Sequence, residues 1–133
     1  MKQSVYLLFD GQAREAMTFY QECLGGDLNL TRIGESPMKM HFPEHFQEKI
    51  LNGRLQSEWL DISTSDWLLP QEEPVRGNMQ CLYISGGKVE DTQKLFDLLS
   101  REANVTDPFI PQPIGTYGAL NDKFGVRWMF HAV

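Results

Sequence analysis

Apolar and polar positions along this chain change period in an order that is written twice. Val5–Phe9 is a short apolar run of strand formers, closed by Asp10 and Gly11. Over residues 12–24 the apolar side chains Ala13, Ala16, Met17, Phe19, Tyr20, Cys23 and Leu24 return at threes and fours. Gly25 and Gly26 then supply a stop, so the spacing predicts an amphipathic helix. Strand-like pieces follow at residues 28–33, 50–55 and 59–63. Residues 78–85 again read as a strand, Gly86 and Gly87 as a turn, and 89–99 as a helix with Val89, Thr92, Leu95, Phe96 and Leu99 on its apolar side. Strands are predicted once more at 105–109, 117–120 and 126–132.

The second half therefore repeats the first. With Tyr6 laid on Leu82, an offset of 76, Gly11 meets Gly87, Ala13 meets Val89 and Tyr20 meets Phe96. Each half is one βαβββ unit of an α+β fold. The organisation predicted is a single domain of two modules, 1–69 and 78–133, joined by a polar linker at 70–77 that Pro70 and Pro74 punctuate. Two glycines, Gly118 and Gly125, bracket Asn121 and Asp122 before the alternation of Val126, Trp128 and Phe130 with Arg127, Met129 and His131. That pattern predicts a hairpin whose last strand buries one side. The irregular stretch 35–48 carries Met38, Met40, Phe42 and Phe46 among polar residues. With Trp67 these are candidates for a lid or an interface.

Composition narrows the function. A chain of 133 residues is long enough for a core that needs neither disulfide nor metal. Its net charge of −6 repels phosphate backbones and anionic membrane surfaces, which excludes nucleic acid as the expected partner. No apolar run reaches membrane length and no signal peptide is evident, so the expectation is a cytoplasmic protein. The two cysteines, Cys23 and Cys81, lie in no metal-type or redox-type spacing and are expected to be reduced thiols. His41 and His45 stand four apart, a spacing that suits zinc on a helix, but Pro43 between them favours a solvated loop.

The run from Phe9 to Ala16 (Phe-Asp-Gly-Gln-Ala-Arg-Glu-Ala), followed by Phe19-Tyr20 and Leu24-Gly25-Gly26, resembles the vicinal oxygen chelate superfamily. So does the ending built on Asp122, Phe124-Gly125-Val126 and Trp128-Met129. Within that superfamily, which includes glyoxalase, extradiol dioxygenases, fosfomycin-resistance enzymes and bleomycin-binding proteins, the chain is most similar to the PhnB-like branch. The resemblance covers nearly the whole chain and implies two curled half-barrel sheets, each with a helix on its outer face, around a cavity. It also implies four positions from which the metal enzymes of the family ligate a divalent ion. Carried over residue by residue, these fall on Val5, Asp61, Cys81 and Met129. Asn52 stands where PhnB-like relatives often have histidine.

A divalent ion needs three or four oxygen, nitrogen or thiolate donors at about 2.0–2.6 Å, and Val5 and Met129 offer it none. No metal and no other cofactor is therefore predicted. If the repeat offset holds along the strands, Val5, Leu7, Phe9, Cys81 and Tyr83 face the cavity while Tyr6, Leu8, Leu82 and Ile84 pack on the helices. Arg127, Met129 and His131 face it from the last strand, and with Asn52 and Asp61 they complete the candidate ligand pocket. Arg127 and His131 together suit an acidic ligand, since guanidinium donors match carboxylate geometry, but the favoured reading has Arg127 reaching solvent at the strand end and His131 fraying with the C-terminus. The function expected is a non-metal, small-molecule-binding homodimer. The alternative is a metal-dependent glyoxalase-like or extradiol-type enzyme that uses Asp61, Cys81 and His41 or His45.

Overall fold

The computed structural model describes residues 1–133 as two compact units, Met1–Pro74 and Val75–Val133. In the first unit the strand β1 (Val5–Phe9) leads into the helix α1 (Ala13–Leu24). Three strands follow: β2 (Asp27–Arg32), β3 (Ile50–Gln56) and β4 (Asp61–Asp66). They form one mixed sheet in the order β1-β4-β3-β2, with β1 parallel to β4 and the other pairs antiparallel. The second unit repeats this with β5 (Leu82–Gly87), α2 (Val89–Leu99), β6 (Asn104–Gln112), β7 (Gly115–Asn121) and β8 (Arg127–Ala132). Its order is β5-β8-β7-β6, again with the first pair parallel. Parallel pairing of first and last strands follows from the βαβββ order: the helix carries the chain from β1 at one edge to β2 at the other, and the antiparallel run β2-β3-β4 comes back to lay β4 parallel to β1.

Each sheet buries one face under its helix and leaves the other open. In the first unit Ala13, Ala16, Met17 and Tyr20 of α1 are fully buried, and Leu55, Ile62 and Thr64 of the sheet are buried with them. In the second, Phe96 of α2 stacks on Phe109 and meets Phe130 edge to face, with ring centroids 5.7 and 5.2 Å apart. Both sheets carry a glycine under the helix at matching places. A Cβ on Gly53 would lie 2.5 Å from Leu30 Cδ2, and one on Gly118 would lie 2.8 Å from the Cα of Phe109.

Neither helix has a side-chain N-cap, and the units solve this differently. Asp66, at the end of β4 and 3 % exposed, accepts the Ala13 N–H with Oδ1 and the Ile50 N–H with Oδ2. One carboxylate thus holds the start of α1 against the start of β3. In α2 the first turn carries Glu90 and Asp91, whose charges suit the positive end of the helix dipole, and Thr92 Oγ1 donates back to the Lys88 carbonyl.

Several elements depart from the pattern read along the chain. β4 begins at Asp61, and Trp59 stands in the preceding turn, 54 % exposed, where Ser57 N–H bonds the Leu60 carbonyl. β5 begins at Leu82, so Cys81 precedes the strand. Gly86 and Gly87 belong to β5 as a bulge, made possible by the positive φ of 86° at Gly86.

β1 faces the opposite way from what the repeat offset predicts. Val5 and Leu7 are half-buried and Phe9 is buried, its ring 6.5 Å from that of Tyr20 on α1, whereas Tyr6 and Leu8 are more than half exposed. Val5, Leu7 and Phe9 thus point toward the helix, and Tyr6 and Leu8 to the open face. Parity slipped because the repeat offset is 76 in the helices but 77 in the first strands, where Val5 pairs with Ile62 as Leu82 pairs with Trp128. One residue more separates strand from helix in the first unit, and one residue flips every side chain of a strand.

Candidate functional site

Strand pairing sets the open face of the second sheet row by row. Tyr83 lies beside Met129, which lies beside Ala119, which lies beside Asp107 on the edge strand. The next row holds Ser85, His131, Tyr117 and Ile110, and on the other side Arg127 lies beside Asn121. Here the alternation of β8 places its side chains as the sequence implies. Trp128 and Phe130 are buried under α2, and Arg127, Met129 and His131 are half-exposed on the open side. Tyr83 is 58 % exposed and Ile110 49 %, which leaves an apolar surface with little over it.

The polar groups of this face differ in how far they are already engaged. Cys81 is an exposed free thiol whose Sγ lies 3.1 Å from Met129 Sδ. His131 donates from Nε2 to the Ile114 carbonyl at 2.7 Å, which fixes its ring across the mouth of the β6–β7 hairpin. Gly115 permits that approach, since a Cβ there would sit 2.7 Å from the same nitrogen. Arg127 gives Nη1 to the Asn78 carbonyl at 2.7 Å, while its buried Nε has no acceptor. The Tyr117 phenol is pushed above its ordinary range, first by burial and then by the nearby Asp107 carboxylate, with Arg127 pulling the other way.

The open face of the first sheet holds different chemistry. Arg54 Nε and Nη2 meet Asp61 Oδ1 and Oδ2, both at 2.8 Å, in a two-point ion pair. The Arg54 hydrogen bond holds the Asp61 carboxyl below its ordinary range, and desolvation opposes it. Asn52 is exposed beside Thr31 on the same face. Asp61 and Asn52 are therefore on an open face, whereas the candidates Val5, Leu7 and Phe9 are under α1.

The donors inherited from the family pattern do not fit a divalent ion. Val5 is aliphatic and faces the helix, and the register counterpart of Cys81 in the first unit is Ser4, a hydroxyl. Asp61 is engaged by Arg54, and Met129 offers a thioether to a soft thiol partner. No group of three or more His, Cys, Asp or Glu side chains stands together as a cation cage. His41 and His45 lie exposed on separate short 3₁₀ turns, with the His45 ring edge-on to Phe46 at 4.7 Å.

Residues 35–48 form those turns as an ordered segment. The Gln47 side-chain amide donates to the Lys39, Phe42 and Pro43 carbonyls and ties the segment together, a role that no spacing along the chain announces. Phe42 and Phe46 are half-buried against each other at 5.9 Å, while Met38 and Met40 are exposed. Trp67 is half-buried, with its indole N–H shared between the Leu69 and Glu72 carbonyls.

Two βαβββ units with open mixed sheets define a glyoxalase-like fold, and the family pattern of the Glyoxalase/Bleomycin resistance protein/Dioxygenase superfamily matches residues 2–130. The chain belongs to that superfamily. It is 28 % identical to Protein YjdN of Escherichia coli (strain K12), across 100 % of this chain and 96 % of the relative. The crystal structure of protein PA1353 from Pseudomonas aeruginosa is also 28 % identical and superposes with a TM-score of 0.86, covering 99 % of this chain and 98 % of that one. The PhnB protein from Bacillus cereus, 20 % identical, shares the fold over 100 % of both chains with a TM-score of 0.76. No helix is long and apolar enough to cross a membrane.

Proposed function

We propose that this PhnB-like protein binds a small, partly apolar molecule on the open face of its second sheet, without a divalent metal, and works as a homodimer in the cytoplasm. One observation carries the reading: Tyr83, Met129, Tyr117 and Ile110 occupy adjacent positions on that face, with Tyr83 and Ile110 about half exposed or more, although each is large enough to be core. Aromatic and thioether surface with a few fixed polar groups is the usual lining of a small-molecule site. A homodimer is supported by further exposed apolar side chains on the first unit, among them Tyr6, Leu8, Met40 and Trp59. Cys23, buried, and Cys81, exposed, are thiols rather than halves of a disulfide, which agrees with a reducing compartment.

The test is a binding screen of small aromatic compounds against the wild-type protein and against Tyr83→Ala and Tyr6→Ala. Tyr83→Ala weakens a hit by about tenfold or more, as loss of a buried aromatic contact implies, and Tyr6→Ala leaves it unchanged. A tight, stoichiometric divalent metal in protein purified without chelator would overturn the non-metal reading. A solution mass equal to one chain would overturn the homodimer.

A further inference from the structure

We propose that Arg127 is the anion-recognition group of this face, so that the ligand is a monoanion carrying a planar carboxylate on an aromatic or apolar body. This rests on the reading of the open face of the second sheet as the ligand site. On the first sheet the guanidinium of Arg54 is fully engaged by Asp61 through two hydrogen bonds. The register counterpart of Asp61 in the second sheet is Arg127, since Asp61 pairs with Gln56 as Arg127 pairs with Asn121. The strand position that holds an anion in one sheet thus holds a cation in the other, with no carboxylate supplied to it.

Arg127 makes one hydrogen bond, to the Asn78 carbonyl, and its buried Nε has none. Nε is closed to solvent, so a carboxylate meets the guanidinium at its outer edge, forking between Nη2, which has no partner, and Nη1, which also holds the Asn78 carbonyl. Arg76, two residues before Asn78, has neither an ion pair nor a hydrogen bond. Its guanidinium lies against Gly125, where a Cβ would come within 2.7 Å of Nη1. Two uncompensated cations therefore flank the same short stretch of chain in a protein of net charge −6. The acid nearest to Arg127 in sequence, Asp122, is spent on the Phe124 and Val126 N–H groups and the Trp128 indole.

The rest of the face sets the ligand's orientation. His131 is held by Ile114 and leaves Arg127 as the anion's contact. Asp107, on the edge strand two strands from β8, repels a second negative charge and so selects a monoanion whose body lies over Met129 and Tyr83. Strand spacing puts that acid roughly 10 Å across the sheet from β8, about the length of a single-ring carboxylate with one substituent.

Titrating the full chain with benzoate and with its neutral isostere benzamide, followed by NMR shifts and calorimetry, tests this. Wild type is expected to bind benzoate about tenfold tighter than benzamide. Arg127→Gln removes that preference while benzamide binding persists, Arg127→Lys keeps part of it, and Asp107→Asn strengthens benzoate by about two- to threefold. Equal affinity for the two probes in wild type, or a preference that survives in Arg127→Gln, overturns the anion assignment. In that event Tyr83→Ala still weakening both probes leaves the ligand face standing. Absence of shifts at Tyr83, Tyr117 and Met129 with either probe overturns the ligand face and the anion assignment together.

Discussion

The two units share a path of chain and differ in what fills it. Matched through their pairing, Thr64 in the first sheet corresponds to Phe130 in the second, and Ile62 to Trp128. On the open side Ser63 corresponds to Met129 and Arg54 to Ala119. Under α1 most of the bulk comes from the helix itself, from Met17, Phe19 and Tyr20, and apart from Phe9 at the end of β1 the strands answer with small or aliphatic side chains. Under α2 the bulk comes from the strands, and the helix contributes Thr92, Phe96 and Leu99. On the open faces the contrast is between an ion pair satisfied within the sheet and an aromatic, sulfur-bearing surface with an unspent arginine. A duplicated backbone needs only that facing layers fill the space between sheet and helix, so either layer can supply the volume. The open side carries no such constraint, and there the two copies have diverged in chemistry.

That contrast can be broken first in the cores. Phe130→Ala is expected to cost about 3–5 kcal/mol, whereas Thr64→Ala, which loses one methyl and the bond to the Leu7 carbonyl, costs about 1–2 kcal/mol. Urea unfolding measures both, and equal losses would contradict the assignment of bulk to opposite layers.

The two buried aspartates come next. Asp122→Ala strands three donors, the Trp128 indole among them, and is expected to cost about 2–4 kcal/mol. Asp66→Ala strands two and is expected to cost about 1–3 kcal/mol, with α1 fraying from its first turn. Hydrogen exchange at Ala13 and Ile50 in that variant distinguishes loss of the α1 anchor from general destabilisation.

Glycines sharpen the comparison at a smaller scale. Gly118→Ala drives a methyl into the Phe109 backbone and the Phe96 ring and is expected to cost about 1–3 kcal/mol by overpacking. Gly11→Ala meets open space, so only its positive φ of 83° opposes it, at about 1 kcal/mol. A Gly11 variant less stable than the Gly118 variant would reverse the expected ranking of packing over backbone strain.

The smallest effects are in pH dependence, and they have opposite signs in the two sheets. Asp61 has a lowered pKa in the folded chain, so its contribution is present above the ordinary carboxylate range and is lost as pH falls through the folded value. Asp61→Asn should flatten the acid limb of stability, more visibly at low salt because the pair is exposed. Tyr117 has a raised pKa, so its contribution is present below the ordinary phenol range and is lost as pH rises toward the folded value. Tyrosinate absorbance should show Tyr117 ionising in a late phase, above the ordinary phenol range, in wild type compared with Tyr117→Phe. Its disappearance from the late phase in the variant identifies it.

Much of this architecture is legible along the chain. Helices announced themselves at threes and fours because one face of each must be apolar, and α2 runs over the very residues 89–99 that the period marks. The alternation at 126–132 placed Arg127, Met129 and His131 on one side for the same reason, with a period of two. Strand ends were harder to read. Trp59 looks like core by composition but stands in a turn, because a hairpin must reverse somewhere and only pairing with β3 says where.

By itself, then, the sequence determined the two βαβββ units, their helices and the shared family pattern, since periodicity and glycine stops are local properties of the chain. The facing of β1 was decided by tertiary structure, because parity depends on a one-residue difference in the connection to α1 that no local pattern records. Tertiary structure also decided which polar groups are spent. Arg54 and Arg127 are the same residue type on matching faces, and only Arg54 has a carboxylate, that of Asp61, placed beside it. A charge acts through its partners in space, and those partners are set by the pairing of strands rather than by their order in the chain.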